Sequence, residues 1–73
     1  MTKVDYAKLR HMLIDRKIKF ADFKRMIGIS PMTGAKISKD ESVSVIVLLR
    51  ICEALKCNIG DIMDVVHSEE AAL

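Results

Sequence analysis

Phe20-Ala-Asp-Phe-Lys-Arg-Met-Ile-Gly28-Ile-Ser30-Pro-Met-Thr-Gly34-Ala-Lys-Ile-Ser-Lys39 is the stretch that decides the fold. Phe20, Phe23 and Ile27 recur at helical spacing, which predicts a short helix over Phe20 to Ile27. Lys24 and Arg25 fall off that stripe and are expected to reach solvent. Gly28 can end this helix, because glycine takes the left-handed conformation without a Cβ penalty. Ser30 can cap a second helix, and Pro31 suits its first position, where an N–H would lack a partner anyway. That helix should run from Pro31 to about Ser38, unusually polar, with Ile37 as its chief apolar anchor.

Two helices joined through Gly28-Ile29-Ser30 have the geometry of a DNA-reading helix-turn-helix. The charge distribution agrees. Net charge is only +2, but residues 1–39 hold ten Lys/Arg against three acids, and residues 40–73 hold two against seven. The basic end coincides with the helix pair, as a phosphate-facing surface requires. A solvated helix also carries charges for solubility alone, so each lysine has that plainer reading.

Before this stretch, Tyr6, Leu9 and Leu13 form one stripe with Met12 beside it, predicting a first helix from about Asp5 to Arg16, with Asp5 as its cap. Asp40-Glu41-Ser42 reads as a loop. Val43 to Val47 alternates and is β-branched, so a strand is possible there. The apolar pattern continues through Ala54 and Leu55, a length that favours a helix from Val45 to Lys56 capped by Ser44. Val45, Leu48, Cys52 and Leu55 then share a face, and Ile46 and Val47 make the helix apolar nearly all round, as in helices buried on two sides. Asn58 to Val66 reads as a short last helix, with Asn58 capping, Asp61 near the positive end of the dipole, and Ile62, Val65 and Val66 apolar.

The expected architecture is thus all-α: a compact five-helix domain with short connections. One domain is expected over residues 1–73, with a core from 5 to 66 and a frayed tail from His67 to Leu73. With three aromatics (Tyr6, Phe20, Phe23), the core must be mostly aliphatic, with methionine as adaptable filler. A core this small is marginal unless packing is efficient or a partner adds buried surface.

Several function classes drop out. Cys52 and Cys57 lack the spacing and the companions of a zinc site, and read as reduced core residues of a cytosolic protein. His11 and His67 have no ligand companions, and no cofactor is expected. No nucleophile–base set or phosphate loop stands at a useful spacing, so an enzyme is not expected. The longest apolar run, Val45 to Leu49, falls far short of the about 20 residues that span a bilayer, and a cytoplasmic location follows.

IDRK (14–17), MIGIS (26–30), AKISKDE (35–41) and VLLRICEALKCNIGDIMDVV (47–66) carry a resemblance. In these words the chain resembles the Cro-like, xenobiotic-response-element-type helix-turn-helix family, in its minimal single-domain form. This resemblance implies a compact all-α, five-helix domain of the phage-repressor-like helix-turn-helix type. It covers about residues 5 to 66, and it is specific because the segments after the turn match as well as the turn itself.

The resemblance implies a second motif helix in the major groove, with Pro31, Met32, Thr33 and Lys36 at base edges. Lys36 can donate to guanine O6 or N7, Thr33 can bond a base or phosphate, Met32 can touch a thymine methyl, and Pro31 is mainly geometric. Phosphate contacts are expected from Lys39 and Ser42, and from Lys19 with the free N–H groups that begin at Phe20, while Lys17, Lys24 and Arg25 are weaker candidates.

Three positions depart from the family pattern. Phe20 stands where a phosphate-clamping Gln is common. Lys24 stands where a small Ala is common, and Gly34 where Ile, Leu or Val anchors the recognition helix. Gly34 either leaves that helix loosely held or permits close approach of a neighbour.

The expected activity is that of a sequence-specific DNA-binding regulator, a repressor acting by promoter occupancy. It would act as a homodimer with recognition helices about 34 Å apart. Ile46, Val47, Ile62, Val65 and Val66 are the candidate dimer residues. No small-molecule effector site is expected. The competing reading is a protein-interaction module on the same scaffold, such as an antitoxin or anti-repressor.

Overall fold

The central helix pair forms with the boundaries its local signals dictate. In the computed structural model, which describes residues 2–67, α2 spans Phe20–Ile27 and α3 spans Pro31–Ser38. Gly28 ends α2 at φ 71°, in the left-handed region, with its N–H donating to the Lys24 carbonyl at 3.0 Å. Ser30 Oγ accepts the Thr33 N–H at 3.2 Å and so caps α3, with Pro31 at its first position.

The flanking elements are β1 (Lys3–Asp5), α1 (Ala7–Asp15), α4 (Val45–Leu55), a 3₁₀ turn (Ile59–Asp61) and β2 (Asp64–Val66). Ser44 caps α4 through the Val47 N–H at 3.3 Å, and Lys56 closes it in the left-handed conformation at φ 54°. A single core joins the elements, with Tyr6, Leu9, Phe23, Ile37, Ile51, Leu55 and Ile62 fully buried. No helix among the described residues is long and apolar enough to cross a membrane.

The expected five-helix count is corrected to four α-helices with a small sheet. Instead of a helix over Asn58 to Val66, the chain makes the 3₁₀ turn and then a strand. The Asp61 carboxylate accepts the Asn58 N–H at 2.9 Å, so the start signal is real. The helix does not propagate, because Gly60 is a poor helix former and Val65-Val66 are β-branched. A partner strand is also at hand: β2 pairs antiparallel with β1, Val4 opposite Val65 and Asp5 opposite Asp64.

That pairing also moves the start of α1. Asp5 sits in the sheet rather than at the helix cap, yet its carboxylate accepts the Ala7 N–H at 2.7 Å. Another amide at the start of α1 is satisfied tertiarily, Leu9 N–H donating to the Ile62 carbonyl at 3.2 Å.

Two readings of α4 are corrected as well. Its inward face is Leu48, Ile51 and Leu55, with Val47 and Cys52 half-buried. Val45, Ile46 and Leu49 face outward, so α4 is buried on one side only. Ile62, expected at a dimer face, is fully buried and belongs to the core. Cys52 and Cys57 are free thiols, half-buried, and burial beside Cys52 pushes the Cys57 thiol above its ordinary pKa. His67 is exposed beyond β2, and residues 68–73 of the expected frayed tail lie outside the described residues.

Candidate nucleic-acid interface

α3 has two unlike sides. Gly34 and Ile37 are its buried positions. Met32, Ala35, Lys36 and Lys39 are exposed and follow the helical repeat along the opposite side. Met32 is 72% exposed, far more than a thioether that served as core filler would be. Pro31 is exposed and Thr33 half-buried, where Thr33 Oγ1 accepts from Ser30 Oγ at 3.1 Å. That bond uses an acceptor site and leaves the Thr33 hydroxyl proton free to donate outward. Ala35 was not singled out in the sequence. It lies beside Lys36 on the exposed side, and its methyl is the kind of group that packs on a thymine methyl.

Lys19, Lys39 and Ser42 are exposed. Lys19 occupies the cap position of α2 without a side-chain cap, so the first N–H groups of α2 keep no side-chain partner there. Phe20 cannot donate through its side chain. It is half-buried, with its ring 5.7 Å from that of Phe23, and only its backbone N–H remains for an anion.

Lys24 corrects the expectation of a solvent-reaching side chain. It is half-buried, with its ammonium 5.4 Å from the centroid of the Phe20 ring. Arg25 is exposed as expected and pairs with Asp22 one turn back.

The loop after α3 is held in place by a set of contacts that no local pattern announced. Asp40 adopts φ 56°, a left-handed conformation that a short polar side chain tolerates. Its Oδ1 accepts the Tyr6 N–H at 2.9 Å and Arg10 Nη1 at 3.1 Å. The Tyr6 hydroxyl donates to the Glu41 carbonyl at 2.9 Å. Lys39 and Ser42 flank this clamp, so their backbone is fixed to α1. Burial raises the Tyr6 pKa and keeps the hydroxyl a donor.

The hydrogen bond from Arg10 holds the Asp40 carboxyl below its usual range, with the Tyr6 N–H acting the same way. A lowered folded-state pKa means that the stabilisation is complete above the ordinary Asp value of about 3.9. It is lost as pH falls through the lowered value. Asp40→Asn should therefore cost on the order of 1 kcal/mol at neutral pH, since the pair is partly exposed. The difference from wild type should begin to shrink as pH falls below about 4 and vanish only below the lowered value. Denaturant unfolding at a series of pH values reads both; a pH-independent difference would count against the ion pair as its source.

Comparison with known proteins agrees with this geometry. The profile of the Cro/C1-type helix-turn-helix DNA-binding domain matches residues 8–68. The chain belongs to the Cro/C1-type helix-turn-helix family. A crystal structure of the transcriptional regulator VanUg is similar to this Cro/C1-type chain with a TM-score of 0.89 and 43% identity. The likeness covers 92% of this chain and 89% of that one. No curated protein matches. The Cro/C1-type family is one of DNA-binding domains rather than catalysts. Among the described residues, no group of three metal-ligating side chains comes together.

Proposed function

We propose that this Cro/C1-type chain is a sequence-specific transcriptional repressor that acts by occupying a promoter. α3 enters the major groove. Pro31, Met32, Thr33 and Lys36 meet base edges; Lys19, the Phe20 N–H, Lys39 and Ser42 meet phosphates. The observation that carries this reading is the two-sided α3: Met32, Lys36 and Lys39 stand exposed opposite the buried Gly34 and Ile37. A helix used only for structure has no need of a thioether 72% exposed on the same side as two lysines. The domain works in the cytoplasm, with no small-molecule effector.

The test is fluorescence anisotropy on mixed-sequence duplex between about 50 and 200 mM salt, followed by selection from a randomised pool. Steep weakening with salt and an enriched sequence are expected. No binding at the lowest salt would favour the protein-interaction reading instead.

A homodimer completes the reading, because paired half-sites about 34 Å apart need two recognition helices. The outward face of α4 supports it: Ile46 is 65% exposed, with Val45 and Leu49 beside it. Val65 is exposed on β2, and Val47 and Val66 are half-buried. Ile46→Glu should convert a sedimenting dimer to a monomer with its helical circular dichroism unchanged. A wild-type chain that sediments as a monomer at tens of micromolar, with and without DNA, would sink the dimer.

A further inference from the structure

Gly34 lies buried in the middle of α3, yet no α3 side chain fills the space above it. A β-carbon there would stand 2.6 Å from Lys24 Cδ, 3.4 Å from Cγ and 3.9 Å from Cε. The methylenes of a lysine on α2 therefore lie across α3. The far end of that lysine is held as well. Its ammonium sits 5.4 Å from the Phe20 ring centroid, within cation–π range, and the Phe20 ring leans on Phe23. α3 itself contributes one fully buried side chain, Ile37, near its C-terminal end.

We infer that Lys24 is the positioning residue of the recognition helix: a strap from α2 that sets the distance and tilt of α3, with Gly34 making room for it. The inference rests on the reading of α3 as the base-reading element. The stem does the holding, because the methylenes are the atoms against Gly34. Without the strap, α3 keeps its Ser30 cap and its Ile37 pivot, while its middle loses a defined separation from α2. Thr33 and Lys36 flank that middle. Base contacts tolerate little slack, whereas phosphate attraction is long-ranged and sequence-independent. The signature of a missing strap is therefore lost discrimination with general DNA affinity retained.

The experiment compares affinity for a duplex selected by wild type from a randomised pool with affinity for a shuffled duplex of the same composition. Lys24→Ala should lower this ratio by about tenfold, the equivalent of one lost base contact. Lys24→Met keeps an unbranched stem without the charge, and should hold the ratio within about threefold of wild type. Gly34→Ala evicts the methylenes while improving helix propensity. It should lose the ratio although it melts no lower than wild type, a split that a merely stabilising contact would not give. Lys24→Ala/Gly34→Val, which returns bulk from the α3 side, should regain the ratio. Wild-type ratios in both Lys24→Ala and Gly34→Ala would overturn the strap. So would a Lys24→Met ratio as low as that of Lys24→Ala, which would assign the effect to charge. A wild-type chain that enriches no sequence would overturn the DNA-reading assignment itself, a failure distinct from either.

Discussion

Lys36→Glu/Lys39→Glu is expected to lower affinity for duplex DNA by about two orders of magnitude or more near 100 mM salt. Both lysines are exposed at the end of α3, and neither joins an ion pair among the described residues. Their removal therefore leaves the fold's own contacts intact. A base-edge contact contributes about 1–3 kcal/mol of discrimination, and each lost phosphate contact flattens the salt slope by about 0.9. Reversing the charges would add repulsion from the phosphates of any duplex docked on α3. The single variants separate the roles. Lys39→Ala should weaken all duplexes alike and reduce the slope by about one, while Lys36→Ala should relax preference at one base pair. Anisotropy titrations at several salt concentrations read each quantity. A double variant that binds as wild type does, at equal helical content, would remove α3 from the interface.

Ile37→Ala is expected to destabilise the protein by about 3 kcal/mol. Ile37 is fully buried and is the one side chain that α3 sends wholly into the core. Truncating a buried Ile to Ala costs about 2–5 kcal/mol, depending on how far the surroundings or solvent fill the gap. An apolar cleft of about 260 Å³ lies alongside, lined in part by Leu13, Ile18, Phe20 and Ile37, so the new space opens onto an existing one. That argues against the top of the range. A domain of this size has about 4–11 kcal/mol in total. The loss should lower the melting temperature by roughly 12–24 °C. DNA affinity should fall with it, since α3 then retains only its cap and the Lys24 contact. A melting shift of a few degrees would mean that Ile37 is not the anchor of α3.

Legibility in the sequence followed the range of the interactions involved. The bounds of α2 and α3 could be read because Gly28, Ser30 and Pro31 act on backbone groups within a few residues. Ser44 marked α4 in the same way. The face of α4 could not be read, because in an apolar helix nothing local distinguishes the outward Val45 from the inward Ile51. The last segment carried a helix start at Asn58 and two β-branched residues after it, and periodicity did not arbitrate between them. The Asp40 clamp joins residues 30 and 34 positions apart in the chain, Arg10 and Tyr6, so no window of sequence contains it.

Local signals alone set the helix-turn-helix and the basic balance of the half of the chain that holds it. Caps, a left-handed glycine and a charge asymmetry need no distant partner to act. The closing sheet, where β2 found β1 from the other end of the chain, and the fit of α3 against α2 depended on long-range packing. Gly34 reads in sequence as a missing anchor. In three dimensions the space above it is filled by the methylenes of Lys24. Packing depends on volumes contributed from different elements, and a void on one helix is visible as filled only when its neighbour is in place.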